Sequence, residues 1–452
     1  MRLQDIAEEA LRAAKGDGSD EAEAYVTSAR AVSVYVDGSK LKSVELRSDI
    51  GISVRVIKGL RVGQSSRSVA EVSDAAACGR DAAKVTKCVP KDPVFMHFPY
   101  PEKARSPGAG NSSMASLEPE ELAHHARDVV HAATAGKKTS VPKGLARAYY
   151  VEGLVVNSNG VHAPRKTSGV YMHFTTMTLG SSRGEGEEYH FGTSLSDFDA
   201  EVMGKALKRK ALDASRAKAF KGTMKADVLL QPQELAELLR GSVGFALNAE
   251  NVNRKRSPWI GQVGKEVASS LLTIEDDPSN ASGILCSPFD DEGVPSTRKK
   301  LLENGALKAL ISDHYNALLT ETPATGNGVR RSAMEPMYQY SSPVRIAPMC
   351  AVISPGNKRP DEIVAEMESG LIVQKFSAPE VQPITGALAL EVRCAQVVNK
   401  GEIVGTVDHC LLTGNMYEAL RHISHVGSDA TVSAGMNLPS LSVGGLELVG
   451  SG

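Results

Sequence analysis

The 452-residue chain holds six cysteines (Cys78, Cys88, Cys286, Cys350, Cys394 and Cys410), and no two of them form a C-x-x-C pair. That scatter excludes a zinc knuckle and gives no sign of a disulfide framework. None of the eleven histidines is followed by glutamate, so the H-E-x-x-H helix of zinc peptidases is absent too. No apolar run approaches the ~20 residues needed to span a bilayer, and residues 1–15 lack the apolar centre of a signal peptide. Charge of one sign is also missing: 51 Lys and Arg oppose 53 Asp and Glu, leaving −2. A dedicated nucleic-acid binder carries a marked basic excess. These absences predict a soluble, reduced, cytoplasmic protein with no direct nucleic-acid contact and no membrane anchor.

What is present is a mixture of periods. Leu3, Ile6, Ala7, Ala10, Leu11 and Ala14 recur at helical spacing, which predicts an amphipathic helix over residues 2–15. From Glu21 the period becomes two. Val32, Val34 and Val36 alternate with polar residues, Asp37-Gly38 offers a hairpin turn, and residues 50–56 continue as strand before a turn at Lys58-Gly59. Residues 69–87 are Ala-rich and predicted helical, residues 90–107 and the Gly/Ser-rich 108–113 form a long loop, and residues 117–135 return to helix with Ser116 as cap. Residues 149–178 predict a strand meander turning at Asn159-Gly160, and residues 197–219 a helix with a basic centre. Lys221-Gly222-Thr223 is the best domain boundary, because a fresh strand (residues 226–230) follows at once. Beyond it, short apolar alternations separated by Gly and Pro read as strand-rich. The pattern is α+β rather than regular strand–helix alternation. Residues 1–222 form an N-terminal α+β domain and residues 223–452 a strand-rich C-terminal domain.

Several local patterns invite chemistry and fail on spacing or context. His124, Asp128 and His131 share one predicted helix face but have no fourth group, so they read as a solvated face. His422 and His425, near Cys410 in sequence, fall at a helix end, where basic side chains complement the last carbonyls. Gly136-Lys137-Lys138-Thr139 matches the end of a phosphate loop, yet His131 stands where the required glycine would be. Ser242 lies in no G-x-S-x-G elbow. Arg254-Lys255-Arg256 with Trp259 reads as a basic loop for an acidic partner or peptide.

The most informative stretch begins at Gln233-Glu234-Leu235-Ala236-Glu237-Leu238-Leu239 and continues Arg240-Gly241-Ser242-Val243-Gly244-Phe245. GQVGKEVASSLLTIEDDP follows from Gly261, FDDEGVPSTRKKLLENGALKALISD from Phe289 and TPATGNGVRR from Thr322. Together these resemble the TldD/PmbA family of peptidase subunits, whose PmbA branch is also called TldE. The resemblance is dense from about Val228 to Val449 and looser before, and it implies the same two-part architecture. In the TldD-type member the corresponding helix reads H-E-x-x-x-H, with two zinc-binding histidines, a glutamate that polarises water, and a third, thiolate ligand from a cysteine near the C-terminus. Here Arg240, Gly241 and Phe245 occupy those helix positions, and residues 432–439 contain no cysteine. Arginine has no lone pair to offer, glycine has no side chain, and phenylalanine brings only hydrocarbon.

The resemblance therefore implies a non-catalytic PmbA/TldE-type subunit with no catalytic residue and no metal of its own. Zinc is expected in a TldD-type partner, with which the pair processes flexible peptides; alone, the chain is expected to form a homodimer. Asp290, Asp291, Glu292 and Asn327 are the peptide-cleft candidates, in a segment that the resemblance places in the framework near the active cleft. Two other readings stand beside this one: an active metallopeptidase homodimer with unrecognised ligands, and a stand-alone peptide-binding scaffold. The family name also carries a link to DNA gyrase; with no sign of DNA contact here, such an effect is expected to run through proteolysis. One geometric expectation follows from the motif. Positions i and i+5 lie about 140° apart on an α-helix, so this spacing predicts a π-like turn or bend, which Gly244 eases. Phe245 is expected to be buried.

Overall fold

The computed structural model describes residues 1–104 and 112–450. The predicted loop therefore lies partly outside the described residues, at 105–111. Six long strands organise the first half: β1 (Glu21–Asp37), β2 (Lys40–Lys58), β3 (Arg61–Ser68), β4 (Thr139–Asn157), β5 (His162–Thr178) and β6 (Glu185–Gly192). They form one antiparallel sheet in the order β3-β2-β1-β4-β5-β6. Strand alternation sends side chains to opposite faces, and both faces here are buried. Ala22, Ala24, Val26, Val32, Val34 and Val36 of β1 point to one of them. Four helices cover that face: α1 (Leu3–Gly16), α2 (Val72–Val85), α3 (Pro119–Thr134) and α4 (Ala200–Ala214). Where α1 meets α2, a Cβ on Gly79 would lie 2.2 Å from the Ala10 carbonyl oxygen. Only glycine permits that approach.

The intervening residues of the same strands face the second half of the chain. Tyr149, Tyr171 and Phe191 pack against Ile284, Ala333 and Met337, while Tyr25 and Val155 pack with Tyr340. In that second half, Thr223–Leu230 joins an eight-stranded sheet, parallel to Ser369–Ser377 and antiparallel to Leu441–Gly450. A six-stranded sheet contains Ile274–Asp276, Ala351–Ile353, Met436–Leu438 and Thr431–Ser433. A large apolar core, including Leu235, Leu239, Val243, Ile274, Leu301 and Leu412, fills this half. The result is the expected α+β architecture. Among the described residues no helix is long and apolar enough to cross a membrane.

Several element boundaries differ from the sequence expectation, among them that of β4, which begins at Thr139 rather than residue 149. β1 and β2 continue well past the apolar cores that marked them: the polar stretch from Lys40 to Asp49 stays paired with β1 although it is largely exposed. Backbone pairing, not burial, carries that extension. The third helix starts at Pro119 with Glu118 as cap, while Ser116 closes a short 3-10 turn; proline suits the first helical position because its missing N–H would be unpaired there anyway. The fourth helix stops at Ala214 rather than Ala219, because Lys218–Ala219 pairs with Val407–Asp408 in the eight-stranded sheet.

Candidate functional site

Strand Thr223–Leu230 runs almost directly into α5 (Pro232–Leu239), whose Leu235, Ala236, Leu238 and Leu239 anchor it in the core. At Arg240 the helix widens into a π-helical turn spanning Arg240–Gly244. This is the irregularity that the i, i+5 spacing predicts. A widened turn displaces backbone carbonyls from their usual partners, and side chains compensate. The Ser242 hydroxyl donates to the Leu238 carbonyl at 2.6 Å, and the Tyr417 hydroxyl donates to Ser242 O at 3.1 Å. Neither glycine is forced by space: a Cβ at Gly241 would meet Val381 at 3.6 Å, and one at Gly244 would meet Leu239 O at 3.7 Å, both ordinary contacts. Their role is a pliable backbone rather than close packing. Arg240 is exposed and pairs with Glu237 at 3.2 Å. Phe245 is half-buried, not buried as expected, because the widened turn carries it toward the rim of the core.

Arg240, Val243 and Gly244 form one wall of a cavity of about 310 Å³. The hairpin of Thr431–Ser433 and Met436–Leu438, which reverses at Ala434 and Gly435 with φ of 50° and 84°, also lines it. Residues 432–439, compared above with the cysteine ligand segment, thus reach the π-turn. Zinc does not fit the residues that meet there. The lining is almost wholly apolar, and its only side-chain heteroatoms belong to two guanidiniums (Arg240 and Arg345), the Ser332 hydroxyl and the thioethers of Met334 and Met436. Hydrolytic zinc sites are built from imidazole, thiolate and carboxylate.

A second, more polar groove of about 760 Å³ shares Phe191, Met334 and Ala434 with this cavity. Alternate residues of β6 project into it: Glu185, Glu187, Tyr189 and Phe191. His173 of β5 stacks on Tyr189 with ring centroids 4.2 Å apart and contacts Glu187 at 2.5 Å. Lys375 bridges Glu185 at 2.6 Å and Glu187 at 3.0 Å. Burial opposes ionisation of Glu187, yet His173 and Lys375 outweigh it and hold its carboxyl at about 2.

Glu234 of α5 lines the same groove and is 7% exposed. It accepts the Phe376 N–H at 3.2 Å, and burial raises its carboxyl to about 7 despite that bond and the cations Lys210 and Lys375, with Glu187 reinforcing the rise. A raised folded-state value favours the protonated form. The stability it contributes is present below the ordinary glutamate range and is lost as pH rises through about 7. Glu234→Gln should therefore gain stability over the parent between pH 5 and pH 8, by on the order of 1–3 kcal/mol. Denaturation midpoints of both proteins at the two pH values check this; a constant difference would contradict it.

Asp290, Asp291 and Glu292 lie elsewhere, under the second face of the N-terminal sheet, and all three are at most 2% exposed. Asp291 accepts from Arg165 Nε at 3.1 Å and from the backbone N–H of Arg330 at 2.7 Å. Glu292 pairs with Arg55 at 2.9 Å, and Arg55 also grips Glu23 through two bonds. Burial works against ionisation of Asp291 and Glu292, but Arg331 and Arg165 at the first, and Arg55 and His314 at the second, hold both below the usual range. Asp290 goes the other way, raised by burial and by Glu292, while it accepts three backbone N–H groups. Asn327, also enclosed, bonds Asp276, Ala347, Lys299 and Thr325. None of these four residues lines the cavity or the groove. Asp291 and Glu292 join the two halves of the chain, Asp290 and Asn327 brace the second half from within, and all four are enclosed.

The minor candidates resolve simply. His124 contacts Asp128 at 3.3 Å on an exposed helix face, and His422 faces the Glu418 carbonyl at the end of a short helix. Trp259 is buried beside Tyr417, apart from any basic loop function. Sequence reading missed the His173, Glu187, Tyr189 and Lys375 group. Its trace was the alternation of Glu185, Glu187, Tyr189 and Phe191, legible only once the face they share is known. The proximity of Cys286 and Cys350, whose thiols hydrogen-bond in the interior, left no local signal at all.

Comparison with known proteins agrees with this geometry. Residues 223–450 match the PmbA/TldA metallopeptidase C-terminal domain, and residues 22–85 match domain 1 of the same metallopeptidases. A metalloprotease TldD homolog from Buchnera aphidicola is 29% identical over 57% of this chain and 53% of its own length. The chain thus matches about half the length of that relative. Metalloprotease PmbA of Escherichia coli O157:H7 is 24% identical over 99% of this chain and 96% of its own. The crystal structure of TldE from Thermococcus kodakarensis superposes with a TM-score of 0.89 at 25% identity, covering 98% of this chain and 99% of that one. With a domain model matched across half its length, this chain belongs to the PmbA/TldD metallopeptidase family.

Proposed function

We propose that the chain is a non-catalytic, PmbA/TldE-type subunit that holds flexible peptides and works with a zinc-bearing TldD-type chain, in the cytoplasm. One observation carries the reading: the cavity at the π-turn keeps its apolar walls, while every side chain at the helix and hairpin positions of the metal site lacks a zinc donor. A chain in that condition contributes to proteolysis through binding and docking. Peptide would lie along the groove, and the metal-bearing subunit would supply the activated water.

An obligate pairing buries ~2,000 Å² or more, so the two chains should co-elute after co-expression. The expected result is a heteromer whose peptide cleavage is faster, or broader in substrate range, than that of the zinc-bearing chain alone; expressed by itself, this chain should form a homodimer without stoichiometric zinc. One zinc per chain, lost on chelation together with peptidase activity, would instead establish an active homodimer. Failure to co-elute and to alter cleavage would leave a stand-alone scaffold.

A further inference from the structure

Resting on that peptide-holding reading, we infer that the groove selects for sequence: it takes an extended peptide that carries a large apolar side chain next to a basic one. The first half of this inference comes from the cavity. Its volume of about 310 Å³ and its walls of Phe191, Val243, Ile274, Leu301 and Met436 suit an aliphatic or aromatic side chain removed from water. The second half comes from the charge of the adjoining groove. Four carboxylates line it (Glu185, Glu187, Glu237 and Glu380), with the enclosed Glu234 behind them, against two permanent cations, Lys375 and Arg393.

Internal pairing reduces this excess without cancelling it. Lys375 is shared between Glu185 and Glu187, Glu237 pairs with Arg240 at 3.2 Å, and Arg393 is 3.3 Å from Glu391, outside the groove lining. Glu380 is exposed. A lysine or arginine lying over this surface would be attracted, and a glutamate repelled. The groove also has a backbone to offer. β6 and Thr431–Ser433, which sit side by side, are each the last strand of their sheet. Among the described residues each therefore has one edge without a strand partner, and an extended peptide can bond to such an edge regardless of its side chains. Backbone bonding supplies sequence-tolerant holding, while the cavity and the acidic surface supply the preference.

The test uses the full-length chain and fluorescein-labelled, flexible Gly/Ser peptides that carry Phe-Lys, Phe-Glu, Phe-Gln or Ala-Lys at the centre. At low salt the Phe-Lys peptide should bind about 5–10-fold tighter than Phe-Glu, with Phe-Gln between them and Ala-Lys weaker than Phe-Lys. The Lys-over-Glu preference should shrink as ionic strength rises, because exposed charges are screened. Charge reversal at the exposed positions, Glu237→Lys with Glu380→Lys, should invert that preference in a protein with an unchanged circular dichroism spectrum. Equal binding of Phe-Lys and Phe-Glu, absence of binding by every peptide, or an order unaltered by charge reversal would overturn the inference. If the heteromer forms and cleaves while the peptides are bound indifferently, the selectivity fails and the partner reading stands. The opposite pair of results would sink the partner reading alone.

Discussion

Asp291→Ala should destabilise the protein by about 3–5 kcal/mol, the usual penalty for leaving a buried charge without its partner. Asp291 is fully enclosed and faces Arg165 at 3.1 Å and Arg331 at 3.6 Å. Removing the carboxylate strands two guanidiniums that cannot shed their protons, and it also frees the Arg330 and Arg331 N–H groups. Arg165 belongs to β5, whereas Asp291 belongs to the second half of the chain, so the loss falls on the contact between the halves. The unfolding curve should therefore move to lower denaturant and split into two steps, one for each half. Asp291→Asn keeps the shape and the backbone bonds but not the charge, and should fall between the variant and the parent. A midpoint for Asp291→Ala equal to that of the parent would show that the arginines find other partners.

The second large effect is a failure to gain activity. Arg240→His, Gly241→Glu and Phe245→His together restore the zinc motif on paper, and the π-turn already provides the spacing such a motif requires. Even so, the triple variant should hydrolyse peptides barely above background. Of the two new imidazoles, the one at position 240 would line a cavity whose hairpin residues Ala434, Gly435 and Met436 offer no thiolate, while position 245 is not part of that lining, so zinc would lack a third strong ligand. Groups that orient metal-bound rings are worth ~10–100-fold in affinity, and the triple substitution adds none. Gly241→Glu must also fit beside Val381, which a Cβ alone would already touch at 3.6 Å. Zinc affinity measured by competition with a chromophoric chelator, alongside peptide cleavage, decides the matter. Tight zinc and brisk cleavage would mean that a third ligand already stands within reach.

Local pattern made much of this architecture readable in advance. Helical spacing of Leu3 to Ala14 gave α1 to within a residue or two, and Asn159-Gly160 marked the β4–β5 turn. The π-turn followed from motif arithmetic, since 100° per residue cannot bring i and i+5 together. What stayed hidden depends on distant partners. The length of β2 rests on pairing with β1 rather than on its own apolar residues. The Asp290-Asp291-Glu292 triplet read as part of a peptide cleft, because nothing near it in sequence announces Arg55 or Arg165, which are 237 and 126 residues away from their carboxylate partners. The groove was invisible for the same reason: its walls come from β5, β6, α5, the strand ending at Ser377 and the hairpin near the C-terminus.

The sheet that is buried on both sides makes chain length itself a constrained trait. Along β1, even-numbered residues meet the helices and odd-numbered ones meet the second half of the chain. Inserting one residue near Glu23 would turn every later side chain of the strand over. Tyr25 would then be driven into the narrow space beside α1 and α2, and Val32 and Val34 would be sent against partners shaped for alanine. Inserting two residues restores the parity and costs only a shift in pairing. Divergence in length among proteins built on this sheet should therefore gather in connections such as residues 179–184, or enter the strands in steps of two.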